Sequence, residues 1–127
     1  MPILHIKSLP QKDPSIVTSA LKKTVLAISE CYDCEPKHVW ATWEVLEPGH
    51  YLEGEHEVLE QPRSTHPPIC ELTCFEGSSD LEIEKLLEIT ATTLSRALGI
   101  EGNIFITYKE AKSGKVIAGD GVVRKKS

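Results

Sequence analysis

The stretches PILHIKSL (residues 2–9) and PICELTCF (residues 68–75) align with each other when the chain is compared with itself. Two further pairs of segments follow in the same register, namely 14–32 with 80–98 and 39–44 with 105–110. Each half has the pattern of a strand, a helix and a strand. The 127-residue sequence therefore predicts one domain, 1–127, built from two β-α-β units at about 1–58 and 68–127.

Sequence signals also mark the ends of the two predicted helices. In the first unit, Asp13 is a natural N-cap and Pro14 suits the first helical position. In the second unit, Ser79 and Glu82 have the spacing of a capping box, and Gly99 is a natural C-terminal stop. Apolar residues recur at helical spacing between these signals, so each helix is predicted to bury one face.

The order of elements also predicts the sheet. A strand, a long helix and a strand in succession imply two parallel strands joined by a right-handed crossover. We therefore expect an α/β two-layer sandwich, in which a four-stranded mixed sheet carries two helices on one face. Ile69 and Phe75 would lie on the uncovered face, so we expect assembly, as a homotrimer, to cover it.

Composition and charge limit the class of function. The net charge of −5 argues against nucleic-acid binding, because only the tail VVRKKS (residues 122–127) is basic, and we expect that tail to be a solvated end. The chain has no apolar run that could span a bilayer and no signal-peptide pattern at its start, so a cytoplasmic protein is expected. Its four cysteines are expected to be free thiols or metal ligands rather than a disulfide framework.

No cofactor motif is recognised, and no metal site is predicted. The pair CYDC (residues 31–34) lies at the end of a predicted helix, where the dipole disfavours a thiolate, so small buried thiols are the preferred interpretation. The segment between the units, residues 47–68, is rich in proline, glycine and charge and predicts a turn or short hairpin followed by a linker. Trp40 and Trp43 lie on opposite faces of one strand, so one is expected to pack on the helices and the other to face a pocket or a subunit contact.

The Met-Pro start, the repeat that begins at the same proline, and the stretch EVLEPGHYLEG (residues 44–54) together resemble the tautomerase superfamily. Oxalocrotonate tautomerase and macrophage migration inhibitory factor are its best known members. The resemblance implies that Pro2, freed by removal of Met1, acts as a general base and acid on an enolisable keto or enol substrate. Burial of an α-amine, which titrates near 8 in short peptides, lowers its pKa toward neutrality. Pro68 is bonded to Pro67 and has no basic nitrogen, so each chain would carry one such site.

The resemblance also implies a set of pocket residues, and several of them depart from the family pattern. Lys12 and Trp40 stand where an oxalocrotonate-type enzyme has arginines, and Phe75 and Ser78 stand where other branches have a pair of arginines. The pocket is predicted to contain one proline, one cation and four ring-bearing residues: Pro2, Lys12, Trp40, His50, Tyr51 and Phe105.

Two functions remain open from the sequence. One is a tautomerase-like enzyme acting on a small molecule, in which Lys12 or Arg63 replaces the missing arginines. The other is a non-catalytic binding or scaffold protein that keeps the fold and the trimer but has lost the chemistry.

Overall fold

The computed structural model of the protein describes residues 1–126, and its two long helices and four long strands follow the predicted order, while the 3-10 turn and the last two strands were not predicted. In chain order these are β1 (Ile3–Ser8), α1 (Ile16–Tyr32), a 3-10 turn (Pro36–His38), β2 (Trp40–Val45), β3 (Ile69–Phe75), α2 (Asp80–Leu98), β4 (Phe105–Ala111), β5 (Val116–Ile117) and β6 (Val123–Arg124).

The four long strands form one mixed sheet in the order β2-β1-β3-β4. Each unit contributes a parallel pair, β1 with β2 and β3 with β4, and the units meet through the antiparallel pair β1 and β3. The two helices pack against each other on one face of this sheet. The predicted two-layer α/β sandwich is confirmed.

Strand alternation divides the sheet into a helix-covered face and an open face. On the covered face, Leu4 and Leu72 are fully buried and pack against Ile28 and Leu94 of the helices. On the open face, charged side chains such as Lys7 alternate with them and remain exposed. The core therefore lies wholly between the sheet and the two helices.

Matching side chains repeat between the units at a spacing of 66 residues. Thr24 in α1 donates to the Ala20 carbonyl at 2.8 Å, and Thr90 in α2 donates to the Leu86 carbonyl at 2.7 Å. Buried hydroxyls in both helices thus satisfy their hydrogen bonds within the helix. The helices also end alike, because Asp33 and Gly99 at the two C-caps both adopt the left-handed conformation.

The predicted register of the closing strands is wrong by one residue. The sequence places Val39 on Phe105, whereas in the structure Trp40 lies opposite Ile3 and Phe105 lies opposite Ile69. Backbone hydrogen bonds of 3.1 Å fix this pairing, from Trp40 to the Pro2 carbonyl and from Phe105 to the Pro68 carbonyl. The turn before the closing strand is therefore one residue shorter in the second unit.

The predicted start of α1 is also wrong, by two residues. The helix begins at Ile16 with Ser15 as N-cap, and the Asp13 carboxylate accepts the Ser15 backbone N–H at 3.0 Å in a turn that precedes the helix. The start of α2 is confirmed, since Ser79 and Glu82 form both bonds of a capping box, at 3.2 and 2.8 Å.

We expect Ser79→Ala to lower the free energy of unfolding by about 1 kcal/mol, because it removes the hydroxyl that accepts the Glu82 backbone N–H. Ser15→Ala is the matched control, since the Ser15 side chain caps no backbone group of α1. Urea denaturation of both variants measures the difference, and equal losses of stability would contradict the capping role.

Candidate functional site

Pro2 lies at the start of β1, where the chain enters the sheet. The residue is fully buried, and its carbonyl accepts the Trp40 backbone N–H. Met1, which precedes it, lines an open cleft of about 700 Å³ at this end of the sheet. The backbone nitrogen of Pro2 is therefore joined to a residue that faces the cleft.

Three aromatic residues from three elements form the apolar side of this cleft. Tyr32 is the last residue of α1, Trp40 is the first residue of β2, and Phe75 is the last residue of β3. They meet because β1 starts at the end of the sheet where β2 also starts and where the antiparallel β3 ends. Cys34 and His38 complete this side, from the turn that joins α1 to β2.

A C-terminal hairpin, residues 112–126, forms the polar side of the cleft. Its strands β5 and β6 pair in antiparallel fashion. It brings one apolar, one small and three charged residues to the cleft: Ala118, Gly119, Asp120, Arg124 and Lys125. The expectation that VVRKKS is a solvated end holds for Lys125, which is exposed, whereas Arg124 is only partly exposed and belongs to a strand of the hairpin; Ser127 lies outside the described residues.

The hairpin lies against Trp40 at a glycine whose left-handed backbone conformation favours that residue. Gly119 has a positive φ of 85°, and a Cβ added there would lie 3.6 Å from Trp40 Cη2. The sequence AGDG (residues 118–121), set between the apolar pairs 116–117 and 122–123, is a turn signal from which the hairpin could have been predicted.

Arg124 and Asp120 form an ion pair inside the hairpin. Arg124 Nη2 donates to Asp120 Oδ2 at 2.5 Å, and the other carboxylate oxygen accepts the Val122 backbone N–H at 3.0 Å. These bonds, with that from Arg124 the stronger, lower the pKa of Asp120. The aspartate is thus a carboxylate at neutral pH, and both charges stand at the edge of the cleft.

Thiols and phenols near the cleft are held in their neutral forms. Burial raises the pKa of Cys34, which lines the cleft, and of Cys74, which lies behind it in β3. Burial likewise raises the pKa of Tyr32 and of Tyr108. All four cysteines are free thiols, but burial gives Cys34 no thiolate character that would make it a nucleophile.

The opposite end of the sheet, around Pro68, is covered by the segment that joins the two units. The Tyr51 hydroxyl donates to the Pro67 carbonyl at 2.6 Å, and its ring meets the His66 ring edge-on at 5.2 Å. His66 is fully buried, and its Nε2 lies 3.0 Å from the His56 carbonyl oxygen. Side chains of this joining segment thus occupy the end that corresponds to the Pro2 cleft.

The predicted pocket residues are divided between the two ends of one chain. Trp40 lines the cleft and donates its backbone N–H to Pro2, while Tyr51 and Phe105 lie beside Pro67 and Pro68. Trp43 lies on the helix-covered face and donates to Ser8 Oγ at 3.1 Å, as expected for two tryptophans on opposite faces.

The two predicted cations, Lys12 and Arg63, and the predicted histidine, His50, do not line the cleft of their own chain. Lys12 is exposed beyond the far end of β1. His50 is exposed and pairs with Glu47, and Arg63 forms an ion pair with Glu101. Three features of the cleft were not predicted from the sequence: Tyr32, Phe75 as a wall residue, and the charged residues of the hairpin.

Residues 1–126 contain no cluster of three or more histidine, cysteine, aspartate or glutamate side chains arranged to hold a metal ion. Within the same residues, neither helix combines the length and the apolar composition that crossing a membrane requires.

No family model matches the chain, and no curated protein matches it in sequence. Solved structures do match in fold. Pt0534, in a structure described as inactivated by 2-oxo-3-pentynoate, superposes with a TM-score of 0.82 and 15% identity over 95% of this chain and 94% of its own. Fused 4-OT, described as a symmetric trimer, gives a TM-score of 0.81 and 14% identity over 95% and 94% of the two chains.

A third solved structure represents another branch of the same fold. The macrophage migration inhibitory factor-like protein of Entamoeba histolytica gives a TM-score of 0.68 and 15% identity over 98% of this chain and 96% of its own. Because these identities are low, the matches bear on the fold. This chain has the fold of the tautomerase superfamily.

Proposed function

We propose that the protein is a tautomerase-like proton-transfer enzyme that acts on a small enolisable keto or enol substrate. Pro2, after removal of Met1, is its general base and acid. The observation that carries this proposal is the position of Met1 on the cleft, directly before a buried Pro2. Removal of Met1 would turn the Pro2 amide nitrogen into a secondary amine at the wall of that cleft.

The surroundings of Pro2 suit such a base. A secondary amine removes a proton from carbon only in its uncharged form, and an apolar wall such as that of Tyr32, Trp40 and Phe75 favours this form. Arg124 and Lys125 line the same cleft, where a cation can stabilise negative charge that develops on the substrate oxygen. They supply the charge that the family's arginine positions lack here.

The alternative, a non-catalytic binding or scaffold protein, is supported by the same departures from the family pattern. Trp40, Phe75 and Ser78 stand where enzymes of the superfamily would have arginines, and Arg124 is already paired with Asp120. Without a free electrophilic partner, an enolate would be less stable by about 3 to 4 kcal/mol. A scaffold would need no free amine at Pro2.

The mass of the intact protein, expressed without a tag at its N-terminus, tests the enzyme proposal. The enzyme proposal requires a mass lower than that of the full sequence by one methionine residue. Protein that retains Met1 throughout would contradict the enzyme, because Pro2 would then be an amide with no basic nitrogen. A tag placed at the C-terminus, beyond the hairpin, is the suitable means of purification.

We further propose that the chain assembles as a homotrimer through the open face of the sheet. On that face, Trp40, Ile69 and Phe105 remain 44%, 41% and 52% exposed. Trimeric assembly described for fused 4-OT supports the same arrangement. In a trimer, Lys12, His50, Tyr51 or Phe105 of one chain would be able to approach the cleft of a neighbour.

Light scattering at micromolar concentration is expected to give three times the chain mass of 14.1 kDa. A mass of one chain would contradict the trimer. Phe105→Asp introduces a charge on the open face and is expected to shift the population toward single chains, whereas Leu59→Asp, at a highly exposed position in the joining segment, is the control.

A further inference from the structure

We infer that Asp120 is a specificity-determining residue that makes the cleft selective for ligands with one anionic group over ligands with two. The inference rests on the proposed function only in taking the cleft as the substrate site. It concerns the charges of the hairpin residues, which do not depend on whether the Pro2 nitrogen is an amide or a free amine.

Arg124 is held in place yet keeps N–H donors that are free to bind a ligand. One guanidinium nitrogen is engaged by Asp120, and the Arg124 carbonyl accepts the Gly114 backbone N–H at 2.7 Å, which fixes the strand that carries it. A guanidinium has five N–H donors, and the side chain remains about half exposed. A ligand carboxylate can therefore bind Arg124 without displacing Asp120.

The charged residues of the hairpin give a ligand in the cleft a net positive charge to bind. The hairpin presents two cations, Arg124 and Lys125, and one anion, Asp120, at the cleft. The two bonds that Asp120 accepts, from Arg124 and Val122, keep it ionised at neutral pH. One ligand carboxylate thus neutralises the net charge of these three residues, whereas a second one finds no remaining cation among them and is repelled when it lies nearer to Asp120 than to Arg124.

The aromatic residues of the cleft determine which kind of ligand body it can hold. Besides the hairpin residues, the aromatic side chains of Tyr32, Trp40 and Phe75 line the cleft, and they offer apolar surface rather than a further cation. The ligand class is therefore a small carboxylate with an apolar, flat body. A linear dicarboxylate would place its second anion either against this wall or near Asp120.

Binding of three unreactive probes of one shape tests the inference: cinnamate, with one carboxylate; cinnamamide, with none; and 4-carboxycinnamate, with two. Isothermal titration calorimetry is expected to show cinnamate binding about tenfold more tightly than the other two. Arg124→Gln should remove the advantage of cinnamate over cinnamamide. Asp120→Asn keeps an oxygen that can accept from Arg124, and it should tighten binding of 4-carboxycinnamate about fivefold or more.

Matched control variants come from the other end of the sheet. Arg63→Gln and Glu101→Gln alter an exposed ion pair of the same kind beside the joining segment, and they should leave all three affinities unchanged. Thermal denaturation of each variant checks that the hairpin changes leave the fold intact.

Equal affinity of the wild type for cinnamate and cinnamamide, no binding of any probe, or an unchanged preference in Asp120→Asn would overturn the inference. None of the three probes undergoes proton transfer, so their relative affinities report on the hairpin charges and not on catalysis. Failure of catalysis with intact probe selectivity would thus count against the proposed function alone, and loss of selectivity with intact catalysis would count against Asp120 alone.

Discussion

Pro2→Ala is expected to lower the rate of keto-enol tautomerisation of a phenylpyruvate-like substrate by at least about 100-fold. Alanine at position 2 also becomes the N-terminal residue when Met1 is removed. Its amine is primary, and it lacks the ring that fixes the direction of the lone pair. It also loses the apolar atoms of a fully buried ring. Both the position and the basicity of the base are therefore altered. Rates across a panel of enolisable keto acids and aldehydes measure the effect.

Pro68→Ala is the matched control for this variant. Pro68 is equally buried, begins the equivalent strand and accepts the equivalent backbone hydrogen bond, from Phe105. Its nitrogen is an amide in every form of the protein, so the control should lose stability without a specific loss of rate per folded molecule. Equal background rates for wild type and Pro2→Ala on every substrate would favour the scaffold alternative.

Leu94→Ala is expected to have the largest effect on stability, a loss of about 3 kcal/mol in the free energy of unfolding. Leu94 is fully buried in α2, where it packs in the core with Leu72 of the sheet and Ile28 of α1. Truncation removes apolar contacts in a layer that has no other element to fill the space. Urea denaturation followed by circular dichroism measures the loss.

Leu81→Ala, on the same helix but 60% exposed, is the matched control and should change stability by less than about 0.5 kcal/mol. If the trimer forms, both variants should be compared at one protein concentration, because assembly contributes to the measured stability. Equal losses in the free energy of unfolding from Leu94→Ala and Leu81→Ala would contradict a core that lies between the sheet and the helices.

The repeat was sufficient to predict the fold because local pattern and long-range pairing agree in this chain. A strand, a helix and a strand occur twice, and Ser79, Glu82 and Gly99 mark the ends of α2 correctly. The register of β2 and β4 could not be read in the same way. A one-residue offset depends on the backbone bonds of Trp40 and Phe105, which the pattern of apolar residues does not specify.

The site could be predicted only in part, because its polar side comes from distant sequence. Pro2 and Trp40 were found through the repeat and the resemblance, and they do meet at one end of the sheet. Arg124 reaches the same end only because β4 runs parallel to β3, ends where β3 ends, and is followed by the hairpin that lines the cleft. A basic terminal segment gives no local sign of such a position. Arg124 was therefore not predicted as a residue of the cleft, because the arginines of the family stand at other positions of the sequence.

Covalent labelling with 2-oxo-3-pentynoate tests the central claim, that Pro2 is a free amine at the wall of this cleft, most directly. The lone pair of the amine would form a bond to the alkyne carbon farther from the carbonyl, and the amine proton would move to the neighbouring carbon, so the adduct gains the whole mass of the reagent. The proposal predicts one adduct per chain, located at Pro2 by peptide mapping, with slower labelling in Arg124→Gln. Burial, which raises the pKa of the Cys34 thiol, disfavours the competing reaction in the same cleft. Labelling of Cys34 with Pro2 unmodified, or no labelling of protein that lacks Met1, would contradict the claim.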